Sequence, residues 1–148
     1  MEPMPKEIRF RAWDVNQQVM YEPFHPLILI YFYDEGFPLN DEFPEFPTPE
    51  NFILMQFTGR KDKNGQEIYE EDIVKFVIKN SEKKISGAGV VKWSDELLAW
   101  IVEVLFFETH LGFITEGIPN YFMLSEITEL RIAGNTYETP DLLDINCW

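Results

Sequence analysis

Apolar and polar positions alternate over short stretches along much of this chain, and such alternation predicts strands rather than helices. The sequence IRFRAW at residues 8–13 alternates in this way, and VMYE at residues 19–22 is placed to pair back on it as a hairpin. Alternation or continuous apolar runs predict further strands at residues 27–33, 51–57, 72–79, 88–93, 97–107 and 127–133. The strands recur at a spacing of roughly ten residues, and no long amphipathic helix is present. We therefore expect a mainly β fold, an SH3-type small barrel with additional strands or hairpins and at most short helical turns.

Turn signals separate these predicted strands. Asn64-Gly65 is the strongest, because both residues accept the positive φ angles of a type I′ hairpin turn. Residues 81–87 are polar and predict another turn, and residues 109–120 predict a looser connection. Thr139 followed by Pro140 predicts an N-cap with proline at the first helical position, and so one short helical turn through Leu143.

A segment rich in proline and acidic residues interrupts the strand pattern at residues 34–50. Its four prolines and its lack of periodicity indicate a loop or an extended excursion. It also carries Phe37, Phe43 and Phe46, which favour packing against either its own domain or a partner. Since SH3-type barrels use aromatic grooves for proline-rich peptides, one hypothesis is that FPEFP at residues 43–47 fills such a groove in the same or a neighbouring subunit.

Net charge narrows the classes of partner. Twenty-six acidic residues against 12 basic ones give a net charge of −14. The segment 60–92 is the exception, with eight bases and six acids. An acidic surface repels phosphate backbones and anionic membranes, so nucleic acid is an unlikely partner and a basic protein is the favoured one. No apolar run has the length of a membrane span and no secretory signal is visible, so we expect a cytoplasmic protein.

Motifs for catalysis or for binding of a cofactor or a metal are weak throughout. DKNG at residues 62–65 is similar to a calcium loop, but it would place Arg60 where a carboxylate ligand is required, and no phosphate-binding loop is present. His25 and His110 belong to no metal-binding pattern, and the single cysteine, Cys147, is next to last. The acidic run at residues 70–72 is best interpreted as a solvated turn. We therefore expect no enzyme, with no catalytic, cofactor-binding or metal-binding residues. Of the tryptophans, Trp13, Trp93 and Trp100 fall in strand segments and are interpreted as core or barrel-mouth residues rather than ligand platforms, whereas Trp148 ends the chain.

Four motifs in order give a specific resemblance. They are IRFRAWD at residues 8–14, LMQFTGRKDKNGQEIYEEDIVKF at 54–76, GVVKW at 89–93 and IAGNTYETPDLL at 132–143. Together they resemble the YopX-like family of phage and prophage proteins. The resemblance implies a mainly β fold with an SH3-type barrel and a phage or prophage origin, and it implies no established activity or site residues. Where the family commonly has glycine before the aspartate, this chain has Glu71. The departure implies either that the backbone needs no positive φ there or that Asp72 is presented differently.

These inferences combine into one expectation. We expect a single YopX-like domain with an N-terminal β region at 1–33, the excursion at 34–50, a barrel core at about 52–134 and a C-terminal cap at 135–148. Its function would be that of a non-enzymatic accessory module that binds a host protein, preferentially basic, or copies of itself. The alternatives are an acidic DNA mimic and a nucleic-acid-binding barrel. The nucleic-acid-binding barrel requires its basic residues to lie together on one face. These residues are Arg60, Lys61, Lys63, Lys75, Lys79, Lys83, Lys84 and Lys92.

Overall fold

The computed structural model describes residues 8–23 and 51–148. Within these ranges the chain forms ten strands and three short 3-10 helices, which confirms the mainly β fold class. The chain divides into two compact units, residues 1–57 and 58–148. The predicted strand at 27–33, the segment at 34–50 and His25 lie outside the described residues.

Ten strands follow one another along the described chain. They are β1 Phe10–Asp14, β2 Val19–Tyr21, β3 Phe52–Lys61, β4 Glu67–Tyr69, β5 Asp72–Lys79, β6 Lys84–Ser94, β7 Ala99–Thr109, β8 Gly112–Ile114, β9 Tyr121–Met123 and β10 Glu129–Asn135. The 3-10 helices are η1 Leu124–Glu126, η2 Pro140–Leu143 and η3 Ile145–Cys147. The three-residue strands β8 and β9 were not predicted, because so few residues leave no measurable alternation.

The first unit contains the predicted hairpin of β1 and β2. β1 pairs antiparallel with β2 on one edge and with the first residues of β3 on the other. Asp14 stabilises the turn after β1, since its Oδ1 accepts hydrogen bonds from the backbone N–H groups of Asn16 and Gln17 at 2.9 and 3.0 Å. Trp13 on β1 is buried, as a core tryptophan would be.

The second unit is built on one antiparallel sheet with the strand order β10-β5-β6-β7-β8, and β9 also pairs with β7. The sheet curls into a half barrel around an apolar core. Val74 and Phe76 alternate toward this core along β5, and Val91 and Val102 face each other on β6 and β7. The other buried members of the core are Ile68, Leu124, Ile127 and Leu130.

The C-terminal residues pack on the opposite face of this sheet. The indole of Trp148 makes an edge contact with Phe106, with ring centroids 5.3 Å apart, and lies 5.6 Å from the ammonium of Lys75. Its Nε1 donates a hydrogen bond of 2.7 Å to the carbonyl oxygen of Leu142. Trp148 is therefore held in place by an edge-to-face ring contact, a cation–π contact and a hydrogen bond.

The turn at Asn64-Gly65 joins two strands as predicted, but its type differs from the prediction. Gly65 has φ +84°, whereas Asn64 is not among the residues with positive φ, so a type I′ turn is wrong. The N–H of Gly65 donates to the carbonyl oxygen of Asp62, which indicates a type I turn followed by a left-handed glycine. Asp62 selects this geometry, because its buried carboxylate accepts backbone hydrogen bonds from Asn64 and Gln66 at 2.8 and 2.9 Å.

Two smaller expectations also need correction. The polar stretch at 81–87 is not all turn, since β6 already begins at Lys84 and pairs with the end of β5. The helical turn predicted through Leu143 is confirmed as η2, with Thr139 at its N-cap and Pro140 at its first position, yet the Thr139 side chain makes no capping hydrogen bond. Its Oγ1 instead donates to the carbonyl oxygen of Asn135 and accepts from the N–H of Asn135, closing the loop before the helix.

The first expectation for Glu71, that its backbone needs no positive φ, is wrong. Glu71 has φ +72°, in the left-handed region that favours glycine. Two backbone hydrogen bonds hold it there, one from its N–H to Val91 and one to its carbonyl oxygen from Thr136. A carboxylate therefore occupies a strained position that glycine would fill more easily.

Candidate functional site: an apolar hairpin tip and its groove

Exposed apolar side chains are grouped on two hairpins in the described part of the second unit. One group lies on the β7–β8 hairpin at residues 111–114, and the other lies at the turn between β6 and β7. We call this turn the hairpin tip and define it by Trp93, Leu97 and Leu98, with the acidic pair Asp95 and Glu96 between them. Trp93 is 41% exposed, Leu97 40% and Leu98 76%. The tip therefore presents a tryptophan and two leucines to solvent, next to two exposed carboxylates.

The backbone of the tip is strained. Leu98 has φ +51°, a conformation that costs a branched residue about 1–2 kcal/mol and that glycine or asparagine would adopt more easily. The local fold explains the conformation: Trp93 pairs with Trp100 and Ser94 with Ala99, so few residues remain to reverse the chain. The fold does not explain why the strained position holds an exposed leucine, and strained residues of this kind cluster at functional sites.

Two tryptophans support the tip from below. The rings of Trp93 and Trp100 meet edge to face with centroids 5.2 Å apart, and Nε1 of Trp93 donates a 2.9 Å hydrogen bond to Oδ1 of Asp95. Trp100 also packs against the core, as predicted for a core tryptophan, whereas Trp93 is 41% exposed and is a surface residue. The rigid pair orients the exposed indole, which lowers the entropy cost of burying it against a partner.

A shallow groove of about 290 Å³ lies beside the tip. Its apolar lining comes from Ala99, Trp100, Met123 and Leu124, and Arg60 forms part of its polar wall. The guanidinium of Arg60 donates hydrogen bonds to the carbonyl oxygens of Leu124 and Ile127 at 2.6 and 2.7 Å, and burial lowers its pKa. Arg60 therefore fixes η1 and the groove wall.

The acidic run at residues 70–72 is a turn, but it is not solvated. Asp72 is 1% exposed and accepts a hydrogen bond from the N–H of Tyr69 at 2.8 Å. The carboxylate of Glu71 is mostly buried and accepts from Nζ of Lys92 at 2.6 Å and from Oγ1 of Thr136 at 2.8 Å. Burial alone would lower the pKa of Lys92, but its hydrogen bond and ion pair with Glu71 raise it overall.

The charges of Glu71 and Lys92 also affect the pKa of the neighbouring Tyr137. Burial and the carboxylate of Glu71 raise its pKa, against a smaller opposing effect of Lys92. The ammonium of Lys92, the carboxylate of Glu71 and the hydroxyl of Thr136 thus hold one another where the turn before β5, β6 and the segment after β10 meet. This arrangement fits a structural role, since it clamps the strained backbone of Glu71.

The basic residues of segment 60–92 do not converge as a set. Arg60 bonds main-chain carbonyls, Lys92 pairs with Glu71, and Lys63 lies 3.7 Å from Glu129. Lys79 and Lys84 face each other near the β5–β6 turn. Lys75 lies elsewhere on the sheet, against Trp148.

The remaining candidate groups lie on different elements. His110 is exposed in the turn between β7 and β8, and Cys147 is exposed on η3. Within residues 8–23 and 51–148, no group of three His, Cys, Asp or Glu side chains is arranged to hold a metal ion. In the same ranges no helix has the length and the apolar character needed to cross a bilayer.

Sequence reasoning missed Leu97 and Leu98, because both were assigned to the apolar run of a buried strand. The strand begins two residues later than predicted, at Ala99, and this difference moves both leucines into the turn. The only signal available beforehand was their position directly after Asp95-Glu96, a pair typical of a turn.

The fold and the site together define a small, mainly β protein whose half-barrel sheet presents an apolar, acid-flanked hairpin. Comparison with known families identifies it further. The family model of the YopX protein matches residues 9–144, and the chain belongs to this family. The sequence resemblance is thereby confirmed.

Two solved structures are similar to the chain. The chain is similar to protein EF1440 from Enterococcus faecalis, at 25% identity and a TM-score of 0.50, over 93% of this chain and 99% of that one. It is also similar to protein yopX from Bacillus subtilis, at 20% identity and a TM-score of 0.46, over 92% of this chain and 98% of that one. No curated protein matches the chain.

Proposed function

We propose that this protein is a non-enzymatic accessory protein of phage or prophage origin, located in the cytoplasm of its bacterial host, that binds a basic surface of a host protein. The observation that carries the proposal is the hairpin tip, where Leu98 is 76% exposed at φ +51° beside the exposed indole of Trp93. The strained backbone of Leu98 costs stability and its exposed side chain adds no core burial, whereas a partner that covers the tip would bury this side chain and the exposed part of the indole.

The energetics of the tip suit an anchor for protein binding. Complete burial of a leucine side chain contributes about 1.5–3 kcal/mol, and tryptophans are enriched among residues that dominate interface energies. The groove beside the tip adds a concave apolar surface lined by Trp100 and Met123. A partner segment that inserts one apolar side chain into this groove while covering Leu98 would bury both surfaces together.

The charge distribution favours a basic partner. From residue 93 to residue 148 there are ten acidic residues and one base, Arg131. Asp95 and Glu96 are exposed within the tip itself, so lysine or arginine side chains around the partner's apolar anchor would be attracted. A second copy of this chain would bring another net charge of −14, and this repulsion disfavours self-assembly.

A nucleic-acid role receives less support. It requires the basic residues of segment 60–92 to form one surface, and Arg60 and Lys92 are committed to other contacts. The DNA mimic stays a prediction. The non-enzymatic part of the proposal is supported by the involvement of Glu71 in a structural clamp.

The first test is a nuclease-treated pull-down from the bacterial host, read by mass spectrometry, with three forms of the chain. Leu98→Asn removes the apolar anchor and keeps a residue that tolerates positive φ. Leu111→Asn is the matched control, because Leu111 is 87% exposed at the tip of a different hairpin. We expect the wild type and Leu111→Asn to recover the same basic protein near 1:1, and Leu98→Asn to lose it.

A second arm tests the charge. Replacing Asp95 and Glu96 with Asn and Gln should slow association of the purified partner and weaken the dependence of its association rate on salt. Equal recovery by Leu98→Asn and the wild type would overturn the tip as the binding site. Recovery of the bait alone by the wild type would overturn the host-protein partner and favour self-assembly, which sedimentation of the purified chain would then reveal.

A further inference from the structure

A second groove of the same unit has a different charge. It has a volume of about 210 Å³ and lies along β5, β6 and β10. Three of its lining side chains are cationic, Lys63, Lys75 and Arg131, and two are anionic, Glu108 and Glu129. On a chain with a net charge of −14, a concave surface with an excess of positive charge is unexpected.

The strand register forces two of these cations together. Lys75 on β5 and Arg131 on β10 are directly opposite in the antiparallel pair, so their side chains leave the same face of the sheet. Like charges in this position destabilise a sheet. Nothing in the pairing itself requires them, since exposed positions tolerate neutral residues.

No described carboxylate forms a salt bridge with this pair. Among the ion pairs within residues 8–23 and 51–148, Lys63 pairs with Glu129 at 3.7 Å, and neither Lys75 nor Arg131 is paired. Asp62 is close enough to Arg131 for its pKa to be affected, but backbone N–H groups already occupy its oxygens. Two positive charges therefore remain available at one end of the groove.

Lys75 is also held in place without losing its charge. Its ammonium lies 5.6 Å from the ring centroid of Trp148, a cation–π contact that orients the side chain. Ser86, which also lines the groove, offers a hydroxyl. A cation pair and a hydroxyl are groups that bind phosphate oxygens.

We propose that this groove binds a small phosphate monoester. Its dianionic group matches the two unpaired positive charges, with Arg131 donating through its planar fork and Lys75 acting as the second cation. The volume admits a phosphoryl group and a few further atoms, and it is below the size typical of nucleotide or drug-sized ligands. Glu108 and Glu129 line the other side of the groove and disfavour a ligand whose far end is also anionic.

The test uses NMR titration of the full chain with two probes, inorganic phosphate and glycerol 3-phosphate, at constant low ionic strength. We expect the amide shifts to change mainly at residues 75, 86, 87 and 131, with tighter binding of the monoester than of inorganic phosphate. Arg131→Gln and Lys75→Gln should each weaken binding at least tenfold, and Lys75→Arg should retain it because the cation is kept.

The matched control is Lys79→Gln. Lys79 and Lys84 are also directly opposite in a strand pair, but neither lines this groove. The proposal requires binding to be unchanged in Lys79→Gln. Equal weakening in Lys79→Gln, equal binding of acetate at the same ionic strength, or shift changes spread over the whole sheet would each overturn it, because they would indicate general attraction of anions. The result is independent of the hairpin tip, whose residues are absent from the groove.

Discussion

The carboxylate of Asp62 offers the sharpest test of how this fold is held together. Its Oδ1 accepts from the N–H groups of Asn64 and Gln66 at 2.8 and 2.9 Å, and its Oδ2 accepts from the N–H of Ile132 at 3.1 Å. Asp62 is 7% exposed. One side chain thus closes the β3–β4 hairpin and fastens it to the outer edge of β10, so we consider the replacement Asp62→Asn.

The magnitude follows from these bonds. The asparagine oxygen can keep the two bonds within the turn, but they become neutral, and each neutral bond contributes roughly 1 kcal/mol less than a charged one. The third position would hold an NH₂ group that faces the N–H of Ile132, so that bond is lost and two donors oppose each other. We therefore expect Asp62→Asn to lower the free energy of unfolding at pH 7 by roughly 3 kcal/mol.

The same carboxylate predicts a pH dependence. Burial alone would raise the pKa of Asp62, but the three backbone N–H groups and the positive charge of Arg131 lower it below its ordinary value. A lowered folded-state pKa stabilises the protein above the unfolded-state pKa, and the contribution is lost as the pH falls through the folded-state pKa. The gap in stability between wild type and Asp62→Asn should therefore be largest near neutral pH and shrink below about pH 4.

Urea unfolding followed by tryptophan fluorescence, at several pH values between 7 and 3, measures both effects. Glu82→Gln is the control, because Glu82 is an exposed acid in another hairpin turn and its loss changes the net charge equally. A difference below about 0.5 kcal/mol at pH 7 for Asp62→Asn, the range of ordinary surface substitutions, would refute the reasoning. So would a gap that stays constant with pH, because it would exclude the ionised carboxylate as the cause.

Three further substitutions test other contacts by the same unfolding assay. Glu71→Ala should lower the free energy of unfolding by about 1 kcal/mol more than Glu71→Gly, which reverses the usual order of alanine and glycine. Both substitutions lose the hydrogen bond to Lys92, but only glycine relieves the strain of φ +72°. Equal losses of stability would contradict the strain. Gly89→Ala should lower the free energy of unfolding by about 2–4 kcal/mol, because a Cβ there would meet a β7 carbonyl oxygen and Cγ1 of Val102. An unchanged stability would show that β6 and β7 separate easily. Arg60→Lys should lower the free energy of unfolding by about 1–3 kcal/mol, since a point charge cannot span the carbonyls of Leu124, the first residue of η1, and Ile127, which follows it. An unchanged unfolding midpoint would argue against that bridge.

Much of the fold was readable from local pattern. The alternation along β5 and β10 and the hairpin of β1 and β2 were predicted because period-2 alternation and turn residues are local signals. The short strands β8 and β9 were missed, since their existence depends on pairing with β7 rather than on their own residues. The turn type at Gly65 was wrong for a similar reason: the Asp62 carboxylate, bonded also to a distant strand, selects it.

The candidate sites depended far more on tertiary structure. The sequence by itself determined the strand-rich class, the acidic balance and the family, since composition, alternation and ordered motifs are carried by neighbouring residues. Only the folded sheet decided that Lys75 lies opposite Arg131, 56 residues later in the chain, because register is a long-range property. Only the hairpin geometry decided that Leu98 lies outside β7 at positive φ, because where a strand begins depends on which partner residues continue the ladder.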